Sequence, residues 1–188
     1  FHVIVDPTNS DLVYAEYQYG NLYRSVDAAA SMVTATDGID ENDRTNWNTP
    51  VVISPYDPDV LFYGSYRLYR SDDNAQWWDP ISNDLTNGTI PGAWSSFATL
   101  TTIAPSYNNL DVIYTGSDDG RVNVTFDGGA NWESIDADLP DRYVTRIIIH
   151  PDHDSTAYVT YSGYRKLDYA PHIFTTTDGG QNWTDISG

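Results

Sequence analysis

Thr102-Ile103-Ala104-Pro105, Val112-Ile113-Tyr114-Thr115-Gly116, Val122-Asn123-Val124-Thr125 and Trp132-Glu133-Ser134-Ile135 follow one another in the middle of the chain, four short runs separated by polar turns. Short runs rich in Val, Ile, Thr and aromatic residues, bounded by Asn, Asp, Gly and Pro, read as strands. The cycle recurs on both sides. Its first run ends in proline at Val3-Ile4-Val5-Asp6-Pro7, Val52-Ile53-Ser54-Pro55 and Ile148-Ile149-His150-Pro151, so that the four prolines stand 48, 50 and 46 residues apart. Second runs are Leu12-Val13-Tyr14-Ala15, Val60-Leu61-Phe62-Tyr63-Gly64 and Ala157-Tyr158-Val159-Thr160-Tyr161. Third runs are Leu22-Tyr23-Arg24-Ser25, Leu68-Tyr69-Arg70-Ser71 and Ile173-Phe174-Thr175-Thr176, and the fourth element starts again at a tryptophan, Trp78 or Trp183.

A period of this length is the signature of a repeat architecture. Strands so short cannot bury both faces alone, so four-stranded sheets packed face to face around an axis, as propeller blades are, satisfy the pattern. The reading predicts an all-β chain, a single β-propeller region over 1–188 with four-stranded antiparallel blades at about 1–50, 51–99, 100–145 and 146–188, forming part of a larger propeller. A β-sandwich would not need the same landmarks in every unit. Composition agrees: 24 Asp against 3 Glu and 8 Arg against 1 Lys leave two good helix formers scarce, while 15 Tyr and 6 Trp favour strands.

A net charge of −18 over 188 residues argues against a nucleic-acid partner, because binding by counterion release needs clustered cations. No apolar run reaches the roughly 20 residues that cross a bilayer, so membrane insertion is not expected. The absence of cysteine removes disulfides, thiolate metal sites and cysteine nucleophiles. Phe1-His2-Val3-Ile4-Val5 is strand-like, and a secretion signal would lie upstream or have been removed.

The turn between third and fourth strands carries the most specific pattern. It reads Thr125-Phe126-Asp127-Gly128-Gly129-Ala130-Asn131-Trp132 and Thr176-Thr177-Asp178-Gly179-Gly180-Gln181-Asn182-Trp183, with a weaker copy at Ser71-Asp72-Asp73-Asn74-Ala75-Gln76-Trp77-Trp78 and a degraded one at Ser25-Val26-Asp27-Ala28-Ala29-Ala30-Ser31-Met32. A short Asp accepts backbone N–H groups within its own turn, glycine permits positive φ, and tryptophan supplies a large apolar body. This resembles the Asp-box, or BNR, repeat, Ser/Thr-x-Asp-x-Gly-x-x-Trp, and the phrasing is similar to the sortilin-like BNR modules of large secreted bacterial surface proteins. The resemblance implies a structural role for Asp27, Asp73, Asp127, Asp178, Gly129, Gly180, Trp78, Trp132 and Trp183, and an extracellular or cell-surface location. Asp-box propellers include sialidases, xyloglucan-type glycoside hydrolases and sortilin-type receptors, so the box names no activity by itself.

In a propeller the second-to-third turns and the connections between blades share one face. Two connections are long, Val33 to Pro50 and Asn83 to Thr99, and long loops of a compact fold commonly carry function. Arg67, Arg121 and Arg165 fall in second-to-third turns, and Arg44 and Arg142 in connections. With Trp47, Tyr66, Trp94 and Tyr164 they form the candidate face for a glycan or protein ligand, arginine forks suiting carboxylate or sulfate and aromatic rings stacking on sugars. The competing reading pairs each arginine with a local Asp, as Arg121 beside Asp118-Asp119. Asp37, Asp40 and Asp43 are calcium candidates by ligand type, although their spacing differs from the twelve-residue calcium loop. No other cofactor is implied, and no catalytic residue is singled out. The expected function is a non-catalytic extracellular module for binding, adhesion or scaffolding, and the alternative is a fragment of a glycoside hydrolase, which needs two carboxyl groups about 5–10 Å apart.

Overall fold

The structure, a computed structural model, describes residues 2–88 and 97–188. Sixteen strands run β1 (Val3–Val5), β2 (Val13–Tyr17), β3 (Asn21–Ser25), β4 (Val33–Thr34), β5 (Val51–Ile53), β6 (Leu61–Gly64), β7 (Leu68–Ser71), β8 (Asp79–Pro80), β9 (Leu100–Pro105), β10 (Ile113–Ser117), β11 (Val122–Thr125), β12 (Glu133–Ser134), β13 (Tyr143–His150), β14 (His153–Ser162), β15 (Ile173–Thr176) and β16 (Thr184–Asp185). They form four antiparallel sheets of four strands, each a meander of consecutive strands. One 3₁₀ turn, Tyr164–Lys166, is the sole helical segment among the described residues. The connection expected to begin at Val33 in fact starts with β4, because Val33 pairs with Arg24 of β3.

Alternation along the strands sends apolar side chains to both faces, so three seams of core lie between neighbouring sheets. Tyr14 and Leu22 meet Leu61, Tyr63 and Trp78; Phe62 and Leu68 meet Leu100, Ile103 and Ile113; Tyr114 and Val124 meet Ile147, Ile149 and Val159. The middle sheets are thus buried on two sides, which is why Leu61–Gly64 and Ile113–Ser117 are buried at every position.

The acidic turn has one geometry in all four sheets. The hydroxyl of Ser25, Ser71, Thr125 or Thr176 donates to the carboxylate two residues on, at 2.7–2.9 Å. The same oxygen accepts the backbone N–H of Ala29, Ala75, Gly129 or Gly180 at 2.9–3.0 Å. The carboxylate accepts the N–H four residues ahead, from Ser31, Trp77, Asn131 or Asn182, at 2.8–3.0 Å. The next N–H after each Asp bonds a carbonyl at the first-to-second turn of its own sheet, Asp11, Asp59 or Asp111, or at the start of the second strand, Ser155, so both kinds of turn occupy one face. Hydrogen bonds from Ser31 and Asn182 bring Asp27 and Asp178 down to about 2, and Asp127 is lowered chiefly by Asn131. At Asp73 burial acts the other way, but bonds from Trp77, Ser71 and Gln76 prevail and its pKa is also lowered. Even the degraded copy at Ser25 folds this way because it keeps the hydroxyl and carboxylate.

Each tryptophan then fastens its sheet to the one before. The indole N–H of Trp78 donates to Ala35 O at 2.9 Å, that of Trp132 to Ile81 O at 3.0 Å, and that of Trp183 to Ile135 O at 2.7 Å. Residue size across the seam explains the sequence of the turn. A Cβ on Gly129 would stand 2.5 Å from Ile81 O and 2.9 Å from Ile81 Cβ, and one on Gly180 would enter the Ile135 side chain. The weaker copy has Ala75 there, buried in one cluster with Ala35, the small residue its neighbour presents. Ala75 carries φ +61, a left-handed conformation that costs an alanine about 1 kcal/mol. Ala35→Ile is therefore expected to destabilise the chain by about 1–3 kcal/mol, and adding Ala75→Gly to recover most of it. Urea unfolding of the two single variants and the double variant measures this coupling, and strict additivity would remove the size-matching explanation.

Candidate functional site

The second-to-third turns and the connections between sheets do lie together, on the face opposite the acidic turns, and arginine and aromatic side chains gather there. Asp43 is the electrostatic centre of the first connection, its side chain only 3% exposed. Arg67 grips it through two nitrogens, Nε to Oδ2 at 2.8 Å and Nη2 to Oδ1 at 2.7 Å, while Ser65 and Tyr69 donate to Oδ2 at 2.8 and 2.7 Å. Burial works to raise the Asp43 pKa, but the bonds from Arg67, Tyr69 and Ser65 lower it on balance. Arg67 also lies within 5.2 and 5.4 Å of the Tyr66 and Tyr69 ring centroids, and Arg44, paired with Asp84 at 2.8 Å, stacks on Tyr66 at 4.2 Å.

The other arginines are engaged in the same manner. Arg121 reaches Asp136 at 3.0 Å rather than Asp118 or Asp119, the partners its sequence neighbourhood suggests, because the third strand runs antiparallel to the segment holding Asp136. Arg142 meets Asp168 at 3.2 Å, and His172 meets the same oxygen at 2.8 Å. Arg165 lies over Tyr143 and Phe97 at 5.4 and 5.9 Å. Four arginines of the face thus end on carboxylates of the chain, and the forks expected for an anionic ligand are occupied internally. Of the calcium candidates, Asp43 is committed to Arg67 and Asp40 Oδ1 accepts from Asn42, and among the described residues no group of three or more His, Cys, Asp or Glu is arranged to hold a metal ion.

Exposed aromatic rings remain on this face. Trp47 meets Tyr19 edge to face at 5.2 Å, and Tyr164 meets Tyr169 at 6.3 Å. Tyr164 and Tyr169 are 71% and 74% exposed on a loop whose polar groups, Asp168, His172 and Lys166, are all paired. Tyr19, Phe97 and Tyr169 were not singled out by sequence, although each is a large ring in a turn or connection. Trp94 lies outside the described residues. One carboxyl among the described residues has its pKa raised: burial pushes Asp118 up, while the backbone N–H groups of Phe97 and Thr99 pull the other way. Asp118 is 3% exposed and holds those two N–H groups, so it anchors residues 97–99 and does not face solvent.

No family model matches the chain. It is 26% identical over 80% of its length to a probable oligoxyloglucan-reducing end-specific xyloglucanase of Neosartorya fischeri, and 23% identical over 99% to the corresponding enzyme of Emericella nidulans. A xyloglucanase of a Paenibacillus species is 26% identical over 99% of the chain. The chain spans between a fifth and a quarter of the length of these relatives, 20%, 24% and 21%. In structure it superposes on an ancestral GH74 enzyme with a TM-score of 0.68 at 20% identity, covering 100% of this chain and 24% of that one. The GH74 xyloglucanase of Xanthomonas campestris gives 0.66 at 19% identity, covering 97% and 30%, and YCF48 of Cyanidioschyzon merolae gives 0.57 at 10%, covering 93% and 55%. The four sheets are propeller blades. Their rotation about a common axis accounts for the repeated seams, and three core clusters join blades one to two, two to three and three to four.

Because Asp43 is nearly buried and Arg67 is its main partner, the pair should behave as a structural clamp. Asp43→Ala is expected to destabilise the chain by about 3 kcal/mol, with the double variant Asp43→Ala/Arg67→Ala less affected than that single one. Thermal unfolding checks this; an Arg67→Ala variant of unchanged stability that lost ligand binding would return Arg67 to a binding role.

Proposed function

We propose that this chain is a segment of a glycoside hydrolase propeller acting on xyloglucan-type polysaccharide, and that the segment binds the polysaccharide. The observation that carries the reading is the similarity to three xyloglucanases over 80–99% of the chain. The exposed rings of Trp47 with Tyr19 and of Tyr164 with Tyr169 support it, since aromatic rings offer flat apolar surface to the C–H faces of sugars. We read the four acidic corners as Asp-boxes with a purely conformational role, and place the protein outside the cell, where such polysaccharides are found. Bond cleavage needs two carboxyl groups about 5–10 Å apart, one of them holding a proton. Asp118, 3% exposed, is taken up by the backbone N–H groups of Phe97 and Thr99, and we assign the segment a binding role.

A second reading, a non-catalytic adhesion or scaffold module, is favoured by the internal pairing of the arginines, which leaves the face without a reactive charged cluster. Affinity electrophoresis in xyloglucan gels, run beside a reducing-sugar assay, tests both. The 188-residue chain is expected to be retarded by xyloglucan, to lose about tenfold in affinity on Tyr164→Ala with Trp47→Ala, and to release no reducing ends. Migration unaffected by xyloglucan would overturn the glycan reading, and release of reducing ends would overturn the assignment of binding alone.

A further inference from the structure

On the rim of the molecule, reaching the loop face at Arg67 and Asp84, the seam between the second and third blades does not close as the first one does. In the first seam Trp78 is 0% exposed, its backbone N–H donates to Asp37 O at 2.9 Å, and the chain beyond Ala35 turns back with Ile39 N–H on Thr36 O at 3.0 Å. In the second seam the matching segment takes another course. Leu85 N–H donates to Tyr66 O at 3.0 Å, and Ser82 Oγ accepts the N–H of Leu68 at 2.8 Å. Trp132 is left partly exposed, and an open groove of about 880 Å³ extends from Asp84 and Leu85 to the acidic turn at Gly128.

The walls define what this groove suits. Ser82, Asn83, Asn123, Asn131 and Ser134 supply amides and hydroxyls around the Trp132 indole. Asn123 is 7% exposed, and its Nδ2 donates to Leu85 O at 2.9 Å, which holds its amide at the groove wall. The charges at the edge are already neutralised, Arg67 by Asp43 and Asp84 by Arg44. A volume of several hundred Å³ is that of ordinary ligand sites, but walls so polar do not suit a lipid, and the lack of a disengaged cation does not suit a phosphate or carboxylate. Neutral hydroxyl-rich molecules fit both features, with planar amides exchanging hydrogen bonds with hydroxyls and the indole covering a sugar's C–H face.

We infer that the groove between the second and third blades is a subsite for a neutral oligosaccharide, distinct from the Trp47–Tyr19 and Tyr164–Tyr169 ring pairs of the loop face. The inference rests on the glycan reading above and adds a second point of contact, so that one long polysaccharide could engage both face and rim. Xyloglucan oligosaccharides titrated into the labelled chain provide the test, followed by NMR. The expected result is a saturable shift of the Trp132 indole N–H and the Asn123 side-chain amide, abolished by Ser134→Trp, which fills the groove from its exposed wall, while the response of Tyr164 and Tyr169 persists. Shifts confined to the loop face, or a Trp132 response that survives in Ser134→Trp, would overturn the rim subsite and leave the glycan reading intact. No shift at any residue would overturn both. If Ser134→Trp unfolds the chain, the wild-type response of Trp132 and Asn123 still decides.

Discussion

The fold depends on a hydroxyl–carboxylate pair repeated at four corners, with an indole reaching across from three of them. In each corner one Ser or Thr oxygen and one Asp carboxylate together bind the backbone N–H groups that would otherwise be orphaned in a tight reversal. That fixes the short fourth strand, and in three blades the tryptophan directly before that strand carries a hydrogen bond to the preceding blade. Local turn chemistry thereby becomes long-range order. The carboxylates do this work as acceptors, which is why they are held ionised and why none of them is available as a proton donor.

Blade packing adds a steric rule to this polar one. Residues 35, 81 and 135 each present a side chain to the next blade's turn, and the turn answers with Ala75, Gly129 and Gly180. At Gly129 a Cβ would meet the backbone oxygen and Cβ of Ile81, and at Gly180 the Ile135 side chain, whereas Ala75 is accommodated in one cluster with Ala35. The alanine of the second copy holds the left-handed conformation that glycine takes in the third and fourth.

Much of this was legible in the sequence, because strands of two-residue period and turns of fixed composition are local properties. The proline landmarks, the Ser/Thr-x-Asp pairs and the tryptophans all placed their elements, and all four blades were anticipated from them. The loop face was legible only in outline. Arg67 lies 24 residues from Asp43, Arg44 lies 40 from Asp84, and Arg142 lies 26 from Asp168, so their pairing follows from the stacking of sheets and not from any nearby motif. With acidic residues three times as numerous as basic ones, nearly any arginine can find a partner, and sequence alone could not say which forks would be left for a ligand. The rim groove was equally hidden, since it arises from the path of residues 81–85, where Leu85 bonds Tyr66 in place of closing a turn.

With the arginines of the loop face paired internally, its exposed side chains include the rings of Trp47, Tyr19, Tyr164 and Tyr169. That face sits on a frame held together by the corners and their indoles. Hydrogen exchange of the indole N–H groups examines that frame most directly. Trp78, Trp132 and Trp183 should exchange slowly and together, as groups released only when a blade separates, while Trp77, 54% exposed, exchanges fast. Indoles of Trp132 and Trp183 exchanging as rapidly as that of Trp77 would contradict the account.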